Sequence, residues 1–92
     1  MHLALQNAET MSRLVEQGEF LLKTFHAEYD KDPAAPNTEF ARGNLVGWRS
    51  TLHTLFRDYA EDVVNRVLTR TRLTLPGGEV RSGANFVAKV AL

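Results

Sequence analysis

The stretch Asp30-Lys31-Asp32-Pro33-Ala34-Ala35-Pro36-Asn37 decides the fold, because it separates two long helical patterns by a segment short enough to force a reversal. It holds two prolines, and each disfavours helical geometry at the residue before it. Two helices joined by so short a loop fold back on each other as an antiparallel hairpin. Asn37 and Thr38 are placed to cap the second helix, with Glu39 in its first turn favourable to the helix dipole.

Upstream of this breaker, apolar or small residues fall at Ala4, Ala8, Met11, Val15, Gly18, Leu22, Phe25 and Tyr29, in alternating steps of four and three. That spacing is the heptad seam of a long helix, expected over residues 3–30 and widened on one side by Leu14 and Leu21. Gly18 lowers helix propensity by about 1 kcal/mol relative to alanine, but it also leaves room for another helix to approach.

Downstream, a second helix is expected over residues 38–71. Its stripe is Ala41, Leu45, Trp48, Leu52 and Leu55 with Phe56, Tyr59, Val63 and Val67, broadened by Ala60, Val64 and Leu68. One partner helix cannot cover a face this wide. Gly43 and Gly47 weaken its first turns, and their G-x-x-x-G spacing permits a close helix crossing near the loop.

The pattern changes after Arg72. Leu73-Thr74-Leu75 alternates, Pro76-Gly77-Gly78 is a strong turn, and Val80 follows. Phe86, Ala88, Val90 and Leu92 alternate with Val87, Lys89 and Ala91, so residues 72–92 are read as a β-like tail. The alternative for the last residues is a helix capped by Ser82 with Phe86, Val87, Val90 and Ala91 on one face. The expected fold is α+β and mainly α, one domain over residues 1–92. It is a long antiparallel helical hairpin followed by a small C-terminal β-hairpin or meander, with an all-α chain ending in a short helix as the alternative.

Composition narrows the function. The chain has 92 residues, no cysteine, and 11 basic against 11 acidic residues. Without cysteine there is no disulfide scaffold, thiolate zinc site or cysteine nucleophile. A sequence pI near 6.8 is unlike that of a dedicated nucleic-acid binder, where the domain value usually exceeds about 9. No apolar run approaches the roughly 20 residues of a membrane span, and the first residues lack the pattern of a signal peptide, so a cytoplasmic protein is expected. The neutral total hides an asymmetry: residues 1–46 carry seven acidic and four basic residues, and residues 47–92 the reverse. A core this small invites oligomerisation as a supplement.

Chemistry-bearing constellations are sparse. His26 and Asp30 share a helical face at metal-ligand spacing, but His53 would have to supply a third ligand and lies too far along the hairpin. Asp58 and Asp62 with Arg66 form i, i+4 charge pairs of an exposed face. Ser12, Ser50 and Ser82 stand in no nucleophile context, and Pro76-Gly77-Gly78-Glu79 lacks the ending of a phosphate loop. No catalytic residue, cofactor or metal is therefore expected.

Arg66, Arg70, Arg72 and Arg81 form the one basic cluster, with Arg81 brought beside Arg72 across the turn. Such a cluster can hold phosphates or an acidic partner, although no aromatic residue interleaves with it for base stacking. Phe20 falls opposite the seam among Arg13, Lys23 and Thr24, and points to surface that the hairpin alone leaves uncovered. In size and lack of active-site residues the chain has the general character of small phage or prophage adaptors, inhibitors and assembly factors. The expectation is a non-enzymatic protein–protein interaction module, a homodimer that also binds another protein through Phe20, Val64, Leu68 and Phe86. The alternative is a nucleic-acid-binding regulator using the arginine cluster.

Overall fold

A computed structural model describes the chain over residues 2–92, with side chains from residue 8 onward; the Ala4 seam position lies outside the described side chains. The order of elements is α1 (His2–Lys31), α2 (Pro36–Leu55), α3 (Ala60–Arg70), β1 (Arg72–Thr74), β2 (Val80–Ser82) and α4 (Gly83–Lys89). The protein is mainly α with a small β part. Among the described residues no helix is long and apolar enough to cross a membrane.

The first reversal is tied more tightly than its composition implies. α2 begins two residues earlier than expected, with Pro36 in its first turn and Ala35 at the cap position. Pro36 fits there because the first helical N–H groups have no intrahelical partner anyway. Thr38 does not cap α2. It is fully buried, and its hydroxyl donates to the main-chain oxygens of Asp32 at 2.6 Å and Glu28 at 3.1 Å, closing the C-terminal end of α1. The Asp32 carboxylate accepts the Ala34 N–H at 3.0 Å, which sets the turn.

The second helix is not continuous over residues 38–71. It stops at Leu55, and residues 56–59 form a turn in which Phe56 and Tyr59 leave helical geometry. The apolar face is too wide for α1 alone, and the break resolves that excess by folding the second half back as α3. Val63 and Val67 of α3 are then buried on α1, and the Phe56 and Tyr59 rings pack on each other across the turn, 5.6 Å between centres. Glu61 and Asp62 in the first turn of α3 favour a helix start there. Leu55, expected in the apolar stripe, is left 67% exposed by the break.

Three helices meet at Gly18. A Cβ built there would lie 2.5 Å from Trp48 Cζ2 on α2 and 2.7 Å from Val67 Cγ2 on α3. The close-approach role of this glycine therefore outweighs its propensity cost.

The hairpin follows its turn residues. β1 and β2 pair antiparallel with Arg72 opposite Ser82, Leu73 opposite Arg81 and Thr74 opposite Val80. The Gly78 N–H donates to Leu75 O at 2.9 Å, and Gly78 has φ +89°, a conformation open to glycine.

Residues 84–92 are not a strand. Ser82 ends β2 and its hydroxyl accepts the Asn85 N–H at 3.1 Å, so the chain turns directly into α4. Helical geometry puts Phe86 into the core, where it meets Phe25, His26 and Tyr29 at ring separations of 5.3, 4.8 and 5.4 Å. A strand would have alternated Phe86 and Val87 to opposite sides of an unpaired edge. The end of α4 is a Schellman motif: Leu92 N–H donates to Val87 O at 3.0 Å and Ala91 N–H to Ala88 O at 3.3 Å. Ala91 holds the left-handed position with φ 58°. Ala91→Gly is therefore expected to raise stability by about 0.5–1 kcal/mol, read as a shift in the urea midpoint at unchanged slope.

Candidate interaction surface

α2 presents its apolar face to α1 and α3 through Ala41, Leu45 and Leu52. The 3.6-residue period then sends Phe40, Gly43, Asn44, Gly47, Ser50, Thr51, Thr54 and Leu55 outward, all exposed. From Phe40 to Leu55 no exposed position of this helix is Asp, Glu, Lys or Arg. The two cations in that span are turned aside. The Arg42 guanidinium lies over the Phe25 ring, 5.4 Å from its centre, and Arg49 Nη1 donates to Leu92 O at 2.7 Å.

The polar groups on this face are also quiet. The Thr51 hydroxyl donates to Gly47 O at 2.9 Å and that of Thr54 to Ser50 O at 3.0 Å, so each hydroxyl is satisfied within its own helix. A Cβ added at Gly43 or Gly47 would meet nothing within 4 Å. The close crossing expected of this G-x-x-x-G pair does not occur inside the chain; it occurs at Gly18 instead. Phe40 is 72% and Leu55 67% exposed at the two ends of the face.

The residues singled out from sequence fall in different places. Phe20 is 68% exposed on the outer face of α1, as its position opposite the seam implied. Val64 and Leu68 are half-buried beside Trp48. Phe86 is completely buried and cannot touch a partner, because helical rather than strand geometry carries it into the aromatic cluster.

The four arginines do not form one cluster. Arg66 pairs with Asp62 at 3.9 Å and Arg70 with Glu19 at 3.6 Å. Arg72 stands opposite Ser82, whereas Arg81 stands opposite Leu73, so strand alternation sends the two arginines to opposite faces of the ribbon. Arg81 instead lies close enough to His26 to act on its charge.

His26 is 4% exposed, with Nε2 3.6 Å from Asp30 Oδ2. Among the described residues no group of three or more His, Cys, Asp or Glu could hold a metal ion. Burial pushes the His26 pKa below its ordinary 6.5; Asp30 opposes this, and Arg81 and Lys89 add to the lowering. The unfolded chain therefore binds this proton at a higher pH than the folded chain. The contribution of His26 to folding stability is fully present above 6.5 and is lost as pH falls through the lowered value. His26→Gln is expected to flatten that part of the stability–pH curve, measured by urea unfolding at a series of pH values; an unchanged slope would show that another group titrates.

Neither family models, nor curated proteins, nor solved structures returned a match to this chain.

Phe40, Leu55 and the empty stretch between them escape sequence reading. Glu39, Arg42, Arg49 and Arg57 scatter charge along this stretch of the chain, and the charge-free face emerges only when positions are sorted by helical angle.

Proposed function

We propose that this protein is a non-enzymatic interaction module that works as a homodimer, with the outward face of α2 as its self-association surface. One observation carries the reading: the outward face of α2 from Phe40 to Leu55 holds no Asp, Glu, Lys or Arg in a chain where 24% of residues are charged, and exposed His53 stands to one side of it. Ordinary solvated helix faces are rich in charge, and α1 follows that rule with Arg13, Glu16 and Lys23 exposed.

A second copy fits this face better than an unrelated partner because the face is nearly symmetric about its centre. Bulky apolar groups stand at both ends and Gly47 stands close to the midpoint. Antiparallel pairing about a two-fold axis at Gly47 sets Phe40 against the partner's Thr54 and Gly43 against the partner's Thr51, with no like charges opposed. Glycine at the crossing lets the helix backbones approach. A single helix crossing is a small interface, below or near the roughly 1,200 Å² low end of stable ones, so a weak, concentration-dependent dimer is expected.

Light scattering over a dilution series tests this. The mass is expected to rise to that of two chains at high micromolar concentration. Gly47→Arg, which sets two like charges at the axis, is expected to hold the protein monomeric. A monomeric wild type at the highest concentration contradicts the reading, and so does a Gly47→Arg variant that dimerises normally. The arginine-based nucleic-acid reading has less support, since two of its four arginines are paired with carboxylates and the other two face opposite ways.

A further inference from the structure

On another part of the molecule, independent of the α2 face, a half-open cavity of about 150 Å³ lies between α2, α3 and the C-terminal end. Its wall includes Trp48 and Arg49 of α2, Val64 and Leu68 of α3, and Val87 and Leu92. Arg49 is the single charged side chain in that wall. Most of the wall is apolar, and a space of this size accommodates a benzene-sized molecule.

The few polar groups are distinctive. Arg49 Nη1 donates to Leu92 O at 2.7 Å, which uses one of the five guanidinium N–H donors. Leu92 thereby displays a branched alkyl group in the wall with an oxygen on the guanidinium. The Trp48 indole is also part of the wall.

We infer that this cavity binds a small carboxylate with a hydrophobic body, of the size of a benzene ring or a short alkyl chain. The body fills the space beside Val64, Leu68 and Val87, and the carboxylate takes the remaining N–H groups of Arg49. Guanidinium and carboxylate match in planar geometry and charge, which is why the site selects an acid over an alcohol of equal length.

Trp48 is the chain's only tryptophan, so its emission reports on the cavity directly. Hexanoate, hexanol and hexylamine are titrated against the protein, with thermal midpoint as a second readout. Hexanoate is expected to change Trp48 emission saturably and to raise the midpoint, as a ligand of the folded state must. Hexanol should bind about five-fold more weakly or worse, and hexylamine should not saturate. Arg49→Gln is expected to weaken hexanoate by about ten-fold while leaving hexanol within about two-fold. Val64→Phe fills the space and should abolish both responses. No saturable change and no midpoint shift with hexanoate overturns the inference. Equal binding of hexanoate and hexanol that Arg49→Gln leaves untouched overturns it as well. If Val64→Phe does not fold, the three-probe comparison and Arg49→Gln still decide the outcome.

Discussion

Phe86→Ala is expected to lower the stability of this protein by about 3–5 kcal/mol, the range for truncating a buried aromatic residue. The ring is fully buried and packs against Phe25, His26 and Tyr29, so it fastens α4 to the C-terminal half of α1. Few neighbours can collapse into the space it leaves, since three of the rings around it belong to one rigid helix. A domain of this length has a total stability of only about 5–14 kcal/mol, so the variant loses about a fifth of it or more. At roughly 4–8 °C per kcal/mol the thermal midpoint should fall by tens of degrees in a circular-dichroism melt. A loss below about 1 kcal/mol would mean that the C-terminal helix is not held by this cluster.

Gly18→Val should be comparably damaging, although it replaces the residue of lower helix propensity. Propensity alone favours the substitution by a few tenths of a kcal/mol. Packing acts the other way. The first added carbon would stand 2.5 Å from Trp48 Cζ2, 2.6 Å from Trp48 Cη2 and 2.7 Å from Val67 Cγ2. Two γ-carbons then have to enter the same junction of α1, α2 and α3. Overfilling a packed core costs about 1–3 kcal/mol for modest additions and more where the neighbours are rigid; an indole ring and a buried valine on two other helices are both rigid. The net expectation is a loss of about 3 kcal/mol with reduced helix content near room temperature. Because Trp48 is the neighbour displaced, its emission should shift in the same variant. Gly18→Ala should lie in the same direction with a smaller loss. A stabilised alanine variant would show that the helices can part at no cost.

Much of the architecture is legible from spacing. The three–four rhythm from Ala8 to Tyr29 reads directly as α1, and Asp32-Pro33 with Pro36 reads as the reversal. Leu73-Thr74-Leu75 followed by Pro76-Gly77-Gly78 reads as the hairpin. The break between α2 and α3 is not legible, because Phe56-Arg57-Asp58-Tyr59 contains neither proline nor glycine and each residue tolerates a helix. Tertiary packing places that turn: α1 cannot cover the whole stripe of an unbroken helix, although the excess apolar width itself is visible in the sequence.

The last nine residues fail for a different reason. Phe86 and Val90 satisfy both a period of two and a period of 3.6, and over so short a span the two patterns coincide. The Ser82 hydroxyl and its bond to the Asn85 N–H distinguish them, and this capping serine was the better signal. Reading Phe86 as a contact residue followed from the strand assignment and falls with it. The arginine cluster fails through register, since a hairpin whose partners are Arg72 with Ser82 and Leu73 with Arg81 divides the two charges. The candidate surface on α2 required both ends of that helix to be known, because outward positions can be sorted only against an inward face.

The most direct test of self-association through α2 uses the absence of cysteine. Gly47→Cys introduces the only thiol in the chain, at the position proposed to face its own copy across the two-fold axis. Mild oxidation followed by electrophoresis without reductant should give a rapidly formed covalent dimer, whereas a cysteine at exposed Lys23 on α1 should give little. Monomer alone from Gly47→Cys, or equal yields from the two positions, would contradict the account.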